Sequence, residues 1–290
     1  MKVGIIGGGA IGLLFAAYLN RNHQLTVYTN TEAQAAEIRN QGIAVIKDGK
    51  TEISYPHASS ARHYEENLLI VTVKQFHLPC ILNHLFPEEP KTLLFLQNGM
   101  GHIKSLSNLK GHTIYTGSVS HGAEKKGERE VQENGIGTTI FSPFPEGTGS
   151  EMIESLSTAD FPFVYRSGWY EILAGKLLVN ACINPLTGLL NVRNGQLIED
   201  PHYHLLLKQV FDEVFPVLEL GDEAAQWKTI EDICRATSNN VSSMLQDLRM
   251  GRKTEIDAIA GYVLDLASDK NITAPILSFL TNAIKGMENN

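Results

Sequence analysis

The sequence predicts an α/β chain in two parts, a parallel-sheet domain over residues 1–166 and an all-helical domain over residues 167–290. Three observations carry this reading. A glycine-rich turn, Gly7 to Gly12, joins a β-branched apolar run to a helix-like one at the start of the chain. Short apolar runs then alternate with helix-like segments through the first half. After a Pro/Gly/Ser-rich stretch at 143–150 and one more strand-like run, apolar residues recur at helical spacing to the end.

From Val3 to Asn20 no residue is charged, so the opening imitates an export signal or a membrane span. Three consecutive glycines, Gly7, Gly8 and Gly9, favour a turn over a helix. "KVGIIG" therefore reads as a buried strand and "AIGLLFAAYLNRN" as a helix. "LTVYT" (25–29) is a second strand, and "EAQAAEIRNQG" a helix closed by Gly42. "IAVI" and "TEISYPH" read as strands of a hairpin or an excursion around "KDGK". "NLLIVTVK" (67–74) and "TLLFLQNG" (92–99) are buried strands with polar ends. The segment from Thr113 to Pro143 reads as antiparallel strands extending the sheet.

The totals bound the function. With 290 residues, 43% of them hydrophobic and 19% charged, the chain has enough apolar mass for two cores. A net charge of −8 argues against a nucleic-acid partner, which calls for a basic surface. No second long apolar segment is expected after the opening run, so no membrane partner is expected. Cys80, Cys182 and Cys234 are scattered without CxxC spacing, and the ten histidines form no HxxxH pair. Reduced structural thiols, a cytoplasmic location and no metal are the expectations.

Gly7-Gly8-Gly9-Ala10-Ile11-Gly12 fits GxGxxG between a strand and a helix, the fingerprint of a Rossmann dinucleotide-binding domain. The glycines permit a tight turn, close backbone approach to a pyrophosphate and strand–helix packing, and the helix N-terminus offers N–H groups to the phosphates. An NAD site ordinarily ends its second strand with an acid that binds the ribose 2′-hydroxyl. Here that end reads Tyr28-Thr29-Asn30-Thr31, and Glu32 belongs to the following helix. NADP is the favoured cofactor, with Thr29 and Asn30 as donors to its 2′-phosphate, although no arginine stands in this run. Lys74 and Asn98 end strands at the edge where ligands of such sheets gather; a solvated strand end and an ordinary Asn-Gly turn are the plainer readings.

In the second half, Lys176, Asn180 and Asn184 stand at i, i+4 and i+8 within "GKLLVNACINPL". They share one face of an otherwise apolar helix, and Pro185 is expected to kink or end that helix. Such a stripe is expected to face a polar cleft. A lysine there can protonate a developing alkoxide, because desolvation makes its proton more transferable. The stretch 239–259 holds Asn240, Ser242, Ser243 and, past a turn at Gly251, Glu255. A carboxylate near Lys176 would hold its ammonium in place.

Taken together, "GIIGGGAIG", "VTVKQ", "LQNGMGH", "GKLLVNACINPLTGLL" and "SSMLQDLRMGRKTEIDAI" resemble the ketopantoate reductase (2-dehydropantoate 2-reductase) family. The resemblance implies NADPH-dependent reduction of 2-dehydropantoate to pantoate, a step toward coenzyme A. It implies that Lys176 is the general acid and Glu255 its supporting carboxylate. Asn98, Asn180, Asn184, Asn240 and Ser243 match substrate-contacting positions. Gly7, Gly9, Gly12 and Lys74 match the cofactor set, to which Gly8, Ala10, Ile11, Thr29, Asn30, Asn98 and Glu255 are added. Family members often carry an arginine where this chain has Asn30. A reductase of another small 2-keto acid, and a protein that senses NADPH without chemistry, are the alternatives. The sequence leaves the oligomeric state open, a homodimer included.

Overall fold

In the computed structural model, which describes residues 1–85 and 89–288, the chain divides into two compact units. The first comprises Met1–Gln97 and Ile103–Ile172; the second comprises Asn98–His102 and the chain from Leu173 onward.

The described strands all lie in the first unit. They are β1 (Lys2–Ile6), β2 (Gln24–Tyr28), β3 (Ile43–Lys47), β4 (Lys50–Ser54), β5 (His57–Ser59) and β6 (Leu68–Val71). These are followed by β7 (Thr92–Phe95), β8 (Thr113–Val119), β9 (Gly122–Lys125), β10 (Glu130–Gly135), β11 (Thr139–Phe144) and β12 (Phe163–Tyr165). One sheet runs β5-β2-β1-β6-β7-β8-β11-β12. Its neighbours are parallel except β8 with β11. The first six strands in that order give the doubly wound arrangement, with its direction reversing between β1 and β6. Both strands are buried, as their unbroken apolar runs require of a sheet covered on two faces.

The opening run is the strand and helix its glycines predict: β1, then α1 (Ala10–Leu19), whose Leu13, Leu14 and Phe15 are fully buried. Helix α2 (Glu32–Gln41) is capped by the Thr31 hydroxyl, which accepts from Gln34 N–H, and it closes at Gly42. The remaining helices of this unit are α3 (Leu78–Leu85) and the short α4 (Ile103–Leu106) and α5 (Glu151–Glu154).

Two strand expectations change. "TEISYPH" is not one strand: β4 pairs with β3 around the turn at Asp48-Gly49, while β5 joins the large sheet beside β2. Strands β9 and β10 do not extend that sheet either; with β3 and β4 they form a second one, ordered β4-β3-β10-β9. Local alternation specifies a strand but not the sheet it joins. Buried Glu133 of β10 supports the second sheet, accepting from Tyr18 of α1 at 2.5 Å and pairing with Lys47 of β3 at 2.7 Å.

The second unit is helical as expected. It holds most of α6 (Trp169–Leu190), then α7 (Gln196–Glu199), α8 (Pro201–Leu218), α9 (Glu223–Ala236) and α10 (Ser243–Arg249). A π-helical turn, Asp257–Gly261, leads into α11 (Tyr262–Asp269), and α12 (Pro275–Met287) follows. Glu213 of α8 accepts from Ile276 and Leu277 N–H, so a tertiary contact caps α12. Two further expectations are corrected. Pro185 does not end α6, which continues to Leu190 because residues 181–188 are buried on all sides. Their packing offsets the hydrogen bond that proline removes. A second long apolar segment does exist: α6 is long and apolar enough to span a bilayer, although 67% of its apolar window is buried inside the protein.

The β1–α1 junction yields a stability prediction. A Cβ on Gly12 would lie 1.8 Å from the Gly7 carbonyl, whereas one on Gly9 would meet nothing within 4 Å. In urea unfolding, Gly12→Ala should lose at least about 3 kcal/mol. Gly9→Ala should stay within about 1 kcal/mol of the parent, its small loss of N-cap preference offset by a less flexible unfolded chain.

Candidate active site

In the first unit the functional side chains converge on the ends of β1, β2 and β6. Beyond β1 the backbone turns at Gly7, with φ +124°, a region other residues rarely adopt. A side chain on Gly7 would strike Thr72, as would one on Gly12. The Thr72 hydroxyl stands 3.2 Å from both the Ile6 and Gly7 carbonyls. Buried Gln34 donates from its amide to the Gly8 carbonyl at 2.8 Å and to the Glu128 carbonyl at 2.7 Å. The glycine turn is thus held from two sides, with Ala10 and Ile11 half-buried in the first turn of α1. Exposed Gly9 is the N-cap of α1 and has open space where a Cβ would stand. A pyrophosphate fits that cradle: it needs open backbone at a helix N-terminus, and only this glycine of the turn faces such space.

Beyond β2, Thr29 is fully buried and its hydroxyl donates to the Thr31 carbonyl at 2.8 Å. Both threonines shape the turn, and Asn30 between them is exposed. Arg62, in the segment after β5, donates from Nη2 to Asn30 Oδ1 at 2.8 Å. Glu32 opens α2 as expected; its oxygens accept from Arg39 at 2.5 Å and Ser60 at 2.6 Å. The Ser60 hydroxyl first, then Arg39, hold this carboxyl below its ordinary range. β6 ends at Val71, earlier than the sequence suggests, so Lys74 lies three residues past it at the N-cap of a short 3-10 turn, Gln75–His77.

In the second unit, Asn98, Lys176 and Glu255 come together. The Asn98 amide donates to Glu255 Oε2 at 3.0 Å, and the Glu255 carboxylate acts electrostatically on Lys176. Desolvation lowers the Lys176 pKa from 10.5 to about 8, with Glu255 pulling it back up. The "QNGMG" segment is seated by its backbone. Gly99 has φ +75° and would place a Cβ 2.1 Å from the Ala258 carbonyl, which also accepts from Met100 N–H at 3.2 Å. Ala258 belongs to the π-helical turn that begins two residues after Glu255, so one backbone contact fixes Asn98 against the segment that carries its acceptor.

Asn180 is half-buried and Asn184 buried on the same helix as Lys176. One turn further, the Thr187 hydroxyl donates to Ser242 Oγ at 2.7 Å. Ser242 also caps α10, accepting from Leu245 N–H, and so ties that helix to α6. Ser243 and Asn240 beside it are exposed, and the Asn240 carbonyl accepts from Asn194 N–H. No hydrogen bond places either of them on Asn98, Lys176 or Glu255 among the described residues. Nor do the described residues gather three or more His, Cys, Asp or Glu groups as a metal would require. Three residues of these strand ends have no signature in the sequence: Gln34, Thr72 and Arg62. Gln34 and Arg62 carry no local signal, since their partners lie 26 and 32 residues away; Thr72 lay inside an apparent strand.

Comparison with known proteins identifies the family. Residues 3–146 match the family model described as ketopantoate reductase PanE/ApbA, and residues 169–288 match its C-terminal counterpart. The chain is 43% identical to a 2-dehydropantoate 2-reductase of Bacillus subtilis, covering 100% of this chain and 98% of that protein. It is 37% identical to one of Listeria innocua, covering 99% and 97%. A crystal structure from Bacillus subtilis, described as a probable 2-dehydropantoate 2-reductase, superimposes with a TM-score of 0.91 at 42% identity over 99% of this chain and 100% of that one. With matches of this length in both halves, the chain belongs to the ketopantoate reductase family.

Proposed function

We propose that the protein reduces 2-dehydropantoate to pantoate with NADPH, a step toward coenzyme A, with residues 1–166 holding the dinucleotide and 167–290 the substrate. The observation that carries this reading is Lys176, half-buried on α6, with the Asn98-bound carboxylate of Glu255 acting on it and desolvation drawing its pKa down to about 8. A purely structural lysine gains nothing from that setting, because burying a charge costs free energy. A proton donor gains a proton that leaves more readily near neutral pH.

Bound NADPH supplies the hydride that the ketone carbon accepts. Lys176 then protonates the alkoxide oxygen that develops on the substrate. Glu255 keeps the ammonium charged and in place, and the Asn98 amide fixes the carboxylate that does so. Asn180 and Asn184 follow Lys176 along α6 and offer uncharged donors and acceptors to a hydroxyl or carboxylate. Asn240 and Ser243, both exposed, would add polar contacts to the substrate. Gly7 to Gly12 would seat the pyrophosphate, and Lys74 would offer it a positive charge. Family membership, whose relatives are named for this reaction, supports the choice of substrate.

A panel of 2-keto acids assayed with NADPH and NADH, read at the nicotinamide absorbance band, tests the reading. The branched, hydroxyl-bearing ketopantoate with NADPH should be turned over best; no loss of absorbance with that pair sinks it. Lys176→Ala should lower kcat by about 100- to 10,000-fold, the usual worth of a positioned acid, while NADPH affinity by fluorescence titration stays within a few fold.

The pH profile has a defined sign. The acid must be protonated, so reduction should fall as pH rises through about 8. Because Glu255 raises the Lys176 pKa, Glu255→Gln should move that falling limb to lower pH. A limb that stays in place would remove Glu255 from its supporting role.

A further inference from the structure

We propose that Arg62, held by Asn30, is the group with which this protein binds the adenosine 2′-phosphate of NADP(H). The inference rests on the dinucleotide reading above and names a specificity residue for it. Asn30 stands at the end of β2, where the ribose 2′ position is read in a doubly wound sheet. The run 28–31 contains no cation. Tertiary structure supplies one: β5 pairs parallel with β2, Thr26 to Tyr28 against His57 to Ser59, so both strands end at the same edge. The segment after β5 then delivers Arg62 to Asn30.

The local chemistry suits an anion. The side-chain carbonyl of Asn30 orients the guanidinium through one of the five donors an arginine carries. A planar fork held in this way matches phosphate geometry. Asn30 contributes a neutral amide that can donate alongside it, without the negative charge an aspartate would bring. The neighbouring acid is engaged elsewhere, since the Glu32 oxygens accept from Arg39 and Ser60. Thr29 spends its hydroxyl proton on the turn, whereas the exposed Thr31 hydroxyl accepts at the cap of α2 and keeps its own proton to donate beside Asn30 and Arg62. Arg62 also acts, with Lys74, on His77, whose pKa burial first and then these two cations hold below its ordinary value.

The test is equilibrium binding to the full-length protein rather than turnover. NADPH, NADH, 2′,5′-ADP and 5′-ADP would be titrated by calorimetry against the parent, Arg62→Ala, Arg62→Lys and Asn30→Asp. The parent should prefer NADPH to NADH, and 2′,5′-ADP to 5′-ADP. Arg62→Ala should weaken the two 2′-phosphorylated ligands by about 10- to 100-fold, the worth of hydrogen bonds to a charged group. It should change NADH and 5′-ADP less than about threefold. Arg62→Lys should recover part of the loss, because charge remains while the fork is gone. Asn30→Asp should shift preference toward NADH, since its carboxylate ties up Arg62 and can accept from a 2′-hydroxyl.

Equal weakening of all four ligands by Arg62→Ala, with an unchanged thermal melt, would make Arg62 structural and overturn the proposal. A parent that binds NADH as tightly as NADPH overturns it too, while the dinucleotide reading survives. A parent that binds none of the four ligands removes the dinucleotide reading itself, and the proposal with it.

Discussion

An ammonium group resists removal from water, and the second unit is arranged around one that is partly removed from it. Lys176 lies on α6 among residues that are otherwise apolar, and desolvation draws its pKa down to about 8. The opposing effect comes from Glu255, whose carboxylate is fixed by the Asn98 amide. Each of these supports needs its own anchor. Glu255 precedes a π-helical turn, a widened coil that often marks functional positions, and the carbonyl of Ala258 in that turn receives Met100. Gly99 allows that approach because it has no Cβ. The NGMG segment and the π turn thus form a frame for one charge.

The first unit solves a different problem, that of presenting backbone to phosphate. Gly12 lets α1 start close against the carbonyl of Gly7, and Gly9 leaves the helix N-terminus open. Thr72 and Gln34 fasten the turn to the end of β6 and to α2. At the next strand end the polar groups divide by task. Threonines build the turn, Glu32 is neutralised by Arg39, and Asn30 with Arg62 faces outward.

Much of this was legible in the chain. The strand–turn–helix start, the doubly wound alternation, the helical second half and the stripe Lys176, Asn180, Asn184 follow from period and glycine placement. The misreadings share a cause. "TEISYPH" reads as a single strand because alternation does not report a change of sheet, and Pro185 reads as a kink or a helix end because propensity ignores burial. Lys74 and Asn98 were placed on strand ends, yet pairing stops at Val71 and Phe95, before either residue is reached.

By itself the sequence determined which local structures form and which residue types carry chemistry, because glycine conformational freedom, apolar period and helical spacing are properties of neighbouring residues. Only the tertiary structure decided which distant groups meet. Asn98 and Glu255 are separated by 157 residues and Asn30 and Arg62 by 32. Those pairings arise from strand order and backbone docking, for which no local spacing codes. The lysine's lowered pKa belongs with them, since desolvation is a property of the folded surroundings and not of the side chain.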